Sequence, residues 1–509
     1  MILALLLLLQ AAPASSYDDL VAAAVAEARA GRTEEARRAL DRAMALDPAR
    51  PEAWVERAGV DFMEKRYREA ADGLARALAL RDDAYARDLR ATALELQGRT
   101  GEALAEWNRL GRPVLGAVTI SGLARTRDRV ARREIAAGEG ALLRADAFRE
   151  TRLRLAEVGV FPRVRLRIVP REDGRVDLAV ALTERHGLGT WQAIAATGVA
   201  DLFREQARLS YANLGGAGVV VGARYKWERT QPRVAAEIAW PRPLGLPAKL
   251  VVSGLRARPT YRFDGGDLMT LRTRGADVAL RRVVGSRTVV EAGWRLRERT
   301  LDASRPDAPP GRISAATAEV EHELLGGPRD RLDVRIAAHA AGGALGSEVR
   351  YAQAEAALRY ARAVGADPDD AVLGSGLAAR VLYGWGGDGT PLDAMFAVGA
   401  GAESEYPLRG HDVKDGGVLG GSPISRSLLL LNVEWRQRLF ARFGVQVAAA
   451  GFTDVARPSR AVQGDVGVLT DVGIGLRLAA GGMVFRMDQG WSLSGDGRSA
   501  FSAGFGRPF

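Results

Sequence analysis

Residues 187–509 repeat one pattern many times: apolar side chains at every second position, with charged or small residues between them. Val219, Val221, Ala223, Tyr225 and Trp227 alternate with Val220, Gly222, Arg224, Lys226 and Glu228. Val290, Ala292, Trp294 and Leu296 alternate with Glu291, Gly293, Arg295 and Arg297, and Leu429, Leu431, Val433 and Trp435 with Leu430, Asn432, Glu434 and Arg436. A period of two puts each set on its own face of a strand. In a soluble protein the apolar face would pack on a second layer, yet no segment after Glu184 reads as a helix able to cover it. Hydrocarbon on one side and a wet, ionic lumen on the other account for the pattern directly. Closure follows, because hydrocarbon tolerates no unpaired strand edge. The sequence therefore predicts a transmembrane antiparallel β-barrel. At roughly 20 residues per strand and turn, with 9–11 of them crossing the bilayer, the count is about 16. A sandwich or propeller made from these segments would bury arginine along one layer.

The composition removes several function classes. With no cysteine in 509 residues, thiol catalysis, cysteine zinc sites and disulfides are excluded. His186, His322, His339 and His411 lie far apart and show no metal-ligand spacing. Gly384-Trp-Gly-Gly-Asp-Gly389 satisfies G-x-G-x-x-G, but Thr390-Pro391 follows where a dinucleotide site needs a helix. Neither a nucleophile–base arrangement nor a G-x-S-x-G occurs, so the chain is expected to be no enzyme, with no cofactor or metal. The net charge is +10, but only Lys65, Lys226, Lys249 and Lys414 are lysines and the arginines are scattered. No nucleic-acid partner is expected from such a distribution.

Three segments precede the barrel. Ile2–Leu9 is a short apolar run followed by the small-residue series Ala12-Pro13-Ala14-Ser15-Ser16. It is too short to span a bilayer as a helix, and residues 1–16 are expected to be an export signal. In 17–112, Gly31-Arg-Thr-Glu-Glu-Ala36, Lys65-Arg-Tyr-Arg-Glu-Ala70 and Gly98-Arg-Thr-Gly-Glu-Ala103 recur at spacings of 34 and 33. This helix–turn–helix period resembles the tetratricopeptide repeat, with Ala36, Ala70 and Ala103 where two helices pack closely. Such units stack into a superhelix, which would bind a periplasmic protein partner or serve as a spacer. In 113–186 the order is β-α-α-β-β. It comprises a strand at Val118–Ile120, helices over 127–137 and 145–158, and strands 164–169 and 176–182 about a Glu172-Asp-Gly174 turn. With Ile120-Ser-Gly-Leu123, Ala156-Glu-Val-Gly-Val-Phe161 and Thr183-Glu184-Arg185 it resembles a polypeptide-transport-associated (POTRA) domain. An open sheet edge of this kind can bind an extended polypeptide by strand addition.

Within the barrel, Leu408-Arg409-Gly410-His411 lies in a glycine-rich stretch between two strand-like runs. It resembles the arginine-glycine loop motif of the BamA/TamA/two-partner-secretion barrel superfamily, in which an external loop folds back into the lumen. That family usually carries an aromatic where this chain has His411. Asn432-Val-Glu434-Trp-Arg436, Phe452-Thr-Asp454-Val-Ala456, Gly473-Ile-Gly-Leu-Arg477, Val484-Phe-Arg-Met-Asp488 and Asn213-Leu-Gly-Gly-Ala-Gly218 resemble further strands and turns of the family. Independently of the family, Glu434 falls on the polar parity of its strand and Asp454 on that of the next, so both carboxylates should face the lumen. A loop arginine inserted between them would form charge-assisted pairs, with Gly410 letting the backbone turn tightly beside the wall. Leu408, Arg409, Gly410, Glu434 and Asp454 are thus the candidate lumen lock. The terminal Phe501, Phe505 and Phe509 resemble the ending by which outer-membrane barrels are recognised for assembly.

The resemblance implies a bacterial outer-membrane protein with residues 17–186 in the periplasm. It would insert or translocate unfolded outer-membrane or secreted polypeptides, surrounded by outer-membrane lipid. A different reading, an exopolysaccharide exporter built from repeats and a barrel, predicts a permanently wide lumen.

Overall fold

The structure is a computed structural model. It describes all residues except 1–15, 190–193, 195–196, 199–200, 203, 264–265, 304–307, 328, 365–373, 402–403, 481–482, 496 and 506–509. The expected export signal therefore lies, apart from Ser16, outside the described residues, as does Phe509. The chain divides into two compact units. One runs to Ser121 and takes in Ile135–Arg152 and Arg165–Ala181; the other comprises Gly122–Glu134, Leu153–Val164 and Leu182–Phe509.

In the first unit, six helices form three successive hairpins: α1 (Tyr17–Arg29), α2 (Thr33–Leu46), α3 (Pro51–Met63), α4 (Tyr67–Leu80), α5 (Ala84–Leu96) and α6 (Thr100–Arg109). Ser16 starts α1 with a reciprocal capping box to Asp19, and Pro51 opens α3, where its missing N–H costs nothing. Ala36, Ala70 and Ala103, together with Leu40 and Leu74, have no exposed surface. The full burial of these alanines where each hairpin's helices meet accounts for a small residue recurring at that position. The repeat extends to the backbone: Gly31 and Gly98 turn with φ of 78° and 72°, and Lys65 takes the same left-handed conformation in the middle repeat at 60°. Buried ion pairs tie neighbouring helices, with Arg37 donating to Asp61 at 3.1 Å and Arg87 to Glu106 at 2.6 Å.

Residues 113–186 form strands β1 (Leu115–Ser121), β2 (Arg163–Pro170) and β3 (Val176–Thr183), with helices α7 (Asp128–Arg132) and α8 (Ala145–Glu157). The sheet order is β1-β3-β2, so β2 is an edge. Helix α7 stops well short of the expected residue 137. The N–H of Ala136 donates to the Thr151 hydroxyl at 2.9 Å instead of a helical carbonyl, and Gly138 and Gly140 follow. Along α8 and just after it, Phe148, Leu155 and Val158 are buried, whereas Leu153 is half-buried.

The remaining strands form a closed antiparallel barrel. Fifteen of them, from Gln206–Leu214 to Ser499–Phe505, have seven residues or more among the described residues. The first and last lie side by side. No helix among the described residues is long and apolar enough to cross a membrane. Strand parity separates the two faces. Trp227, Trp240, Trp294, Trp385, Trp435 and Trp491, all the barrel tryptophans among the described residues, are 39–46% exposed and point outward. Ile238, Ile336, Leu429 and Tyr383 share that face, an apolar exterior of the kind that lipid would cover. Phe501 is also outward, and Phe505 ends the last strand.

Candidate functional site

Between strands Ser375–Gly386 and Ile424–Arg442 the chain makes a long excursion, 387–423. Part of it turns inward. Phe396, Val398 and Leu408 are buried against Leu382, Leu428 and Leu430, which occupy the inward parity of the two flanking strands. This part of the lumen is therefore apolar and filled rather than watery.

The loop carries Arg409 into the wall. Its Nε and Nη2 donate to the two oxygens of Asp454, both at 2.8 Å, and its Nη1 donates to Glu434 at 2.7 Å. The backbone N–H of Arg409 reaches Asp454 as well, at 3.1 Å. All three side chains have at most 1% exposure. The guanidinium also lies 3.6 Å from the ring centre of Phe452, so the aromatic stacking surface comes from the wall. His411, standing where the resembled family has an aromatic, instead places Nδ1 2.9 Å from Asp471. Asp471 also accepts from the N–H of Gly410.

Gly410 does not have a left-handed backbone, contrary to a tight-turn role. Its need is closeness: a side-chain carbon there would fall 2.7–2.9 Å from the Asp471 carboxylate. The wall answers in kind at Gly490, where a methyl group would collide with the Arg409 carbonyl.

Four wall residues outside the sequence-derived set complete the network. Arg477 donates to Glu434 and to Asp488, both at 2.7 Å. Asn432 donates to Asp454 and to the Pro407 carbonyl, both at 2.8 Å. Asp471 holds the next two loop residues as described. Strand pairing explains the convergence: Asn432 faces Asp454, which in turn faces Asp471 across three neighbouring strands. Arg477 and Asp488 end two of the strand motifs that resemble the family, whereas the only sequence signal for Asp471 is a polar residue on an inward parity, which many lumen residues share. Arginine is the cation that suits such a site, because its planar fork serves two carboxylates at once.

A second polar cluster lies in the same compact unit. Glu157 accepts from Lys249 Nζ at 3.1 Å and Arg281 Nε at 2.9 Å. Glu134 accepts from Arg242 at 2.6 Å, and Asn213 donates to the Thr126 hydroxyl at 2.8 Å. These contacts are why 122–134 and 153–164 group with the barrel rather than with the sheet of 113–186. Burial pushes the Glu157 carboxyl up, but Lys249 and Arg281 outweigh it and hold the group below the usual carboxylate range. Since the folded value lies below the unfolded one of about 4.3, the contribution is full above about pH 4.3 and is lost as pH falls through the folded value. Glu157→Gln is expected to lower the urea midpoint of the full chain at pH 7. The difference between wild type and variant should shrink as pH falls below about 4.3 and through the folded value; a difference that stays the same on acidification would refute the assignment.

Comparison with known protein families matches residues 113–185 to POTRA, described as surface antigen variable number repeat. Among solved structures the chain is similar to CdiB from Escherichia coli, at 14% identity and a TM-score of 0.52, covering 77% of this chain and 75% of that one. For CdiB from Acinetobacter baumannii the identity is 14% and the TM-score 0.50, over 77% and 73%. BamA from Haemophilus ducreyi lacking POTRA domains 1–3 aligns at 15% identity and a TM-score of 0.46, over 77% and 83%. No curated protein matches. The chain thus consists of N-terminal helical repeats, a POTRA domain and an antiparallel barrel with the fold of CdiB.

Proposed function

We propose that this protein is an outer-membrane insertase or translocase of polypeptides, working without chemical turnover. The observation that carries the reading is a loop seated inside the barrel by a buried arginine, in a chain whose barrel follows a POTRA domain. The edge strand β2 would receive an unfolded client as an added strand, because backbone hydrogen bonds do not depend on client sequence. Arg409, Glu434 and Asp454 would lock the loop and so hold the barrel in a working shape. The seam between the first and last strands would open sideways for insertion. Residues 17–112 would bind a periplasmic protein partner, and Phe501, Phe505 and Phe509 would mark the chain for assembly. A filled lumen weighs against the exopolysaccharide reading, which needs a permanent wide channel.

Planar-bilayer recordings of the full chain, combined with photo-crosslinking from Arg165 on the edge strand in cells, test the proposal. The expected result is small, fluctuating conductance with unfolded polypeptide crosslinked to β2. A large steady conductance with no crosslinked polypeptide would overturn it.

A further inference from the structure

On the outer side of the barrel, strand Arg233–Pro241 ends at a turn of unusual build. Its outward residues Val234, Ile238 and Trp240 belong to the apolar face, and Leu244 at the tip is 94% exposed. Arg242 and Leu244 both adopt left-handed backbone, with φ of 47° and 53°. For a bulky residue such as leucine that conformation is an outlier, maintained here to hold an apolar side chain clear of the protein. Beside the turn is a cavity of about 460 Å³ whose lining includes Arg127, Arg129 and Arg133 as well as Trp240 and Leu244. All three arginines are exposed. The nearby carboxylates are already engaged, Glu134 with Arg242 and Asp128 with Arg132. Among the described residues none pairs with Arg127, Arg129 or Arg133.

We propose that this cavity binds the phosphodiester headgroup of an anionic phospholipid in the adjoining leaflet. The three guanidiniums would hold the phosphate oxygens, while Leu244 and Trp240 lie along the acyl chains. The assignment rests on the barrel being embedded in a bilayer. Three features favour a lipid over a soluble anion. Tryptophan at the end of a barrel strand marks the level of the headgroups. Unpaired arginines at that level are matched by lipid phosphate, which they bind through two donors at once. An isolated, fully exposed leucine next to them gains burial only if hydrocarbon is there to receive it. Arg242, the one arginine contributed by the turn itself, is spent on Glu134 and so fixes the turn against the arginine-bearing segment.

The test is native mass spectrometry of the full chain released from nanodiscs of phosphatidylcholine with a minor fraction of phosphatidylglycerol. Heat-modifiable electrophoretic migration reports insertion. The wild type is expected to retain phosphatidylglycerol in preference to phosphatidylcholine, and added inorganic phosphate should not displace it. Each arginine near a charged bilayer surface is worth about fivefold, so R127Q/R129Q/R133Q should weaken retention by about a hundredfold. L244S, which leaves the charges in place, should weaken it by a smaller factor while insertion persists. Inserted wild type that retains both lipids equally, a triple variant with unchanged retention, or full displacement by inorganic phosphate would each overturn the lipid site alone. A chain that does not enter the nanodisc bilayer would overturn the membrane reading as well.

Discussion

Arg409→Ala is expected to destabilise the folded barrel by about 3–5 kcal/mol, the usual cost of stripping one partner from a buried ion pair. Asp454 would keep its hydrogen bond from Asn432 but lose both bonds from the Arg409 guanidinium, and Glu434 would keep Arg477 and a longer contact with Arg436. Both carboxylates are fully buried, so their uncompensated charge should drive the loop that carries Arg409 from its seat. The midpoint temperature of the heat-modifiable gel shift should fall, and single-channel conductance should become larger and noisier. Arg409→Lys separates charge from shape. An ammonium keeps the charge but cannot serve both oxygens of Asp454 and reach Glu434, so its loss should be intermediate. An alanine variant with wild-type midpoint and conductance would refute the lock.

Glu434→Ala should cost a comparable amount, about 3–5 kcal/mol, for the opposite reason. It leaves two buried guanidiniums, Arg409 and Arg477, facing each other across the vacated carboxylate. Because each single substitution strands a charge that the other would remove, the double variant R409A/E434A should cost clearly less than the sum of the two. A double-mutant cycle on the urea midpoint measures that difference directly. Additive losses would show that Glu434 acts as an ordinary wall residue and that the loop is held elsewhere, with the Phe396–Leu408 apolar cluster as the remaining anchor.

Much of the barrel is legible in the chain because strand parity is a local property. Trp294 and Leu296 alternate with Arg295 and Arg297, and no distant contact is needed to tell which pair meets lipid. The repeat period in 17–112 is legible for the same reason: Ala36, Ala70 and Ala103 recur where helices touch. Glu434 and Asp454 could be picked out because parity and a loop motif point to them together. Asp471 could not, since its importance comes from lying across from Asp454 on a third strand. The filled lumen also escaped sequence reasoning, as Phe396 and Val398 sit in a segment with no period at all.

The sequence by itself determined the helical repeats, the α/β segment with its edge strand and the two-faced strands, because each is written in spacings of a few residues. The tertiary structure alone decided that Arg477 and Asp488 extend the Arg409 network and that Gly410 is needed for closeness to Asp471. It also decided that 122–134 and 153–164 join the barrel through Glu134 and Glu157, and that three arginines meet an exposed leucine at the barrel's rim. Those outcomes depend on which strands become neighbours and where a long loop comes to rest. Both are set by contacts between residues tens to hundreds of positions apart, which no local pattern encodes.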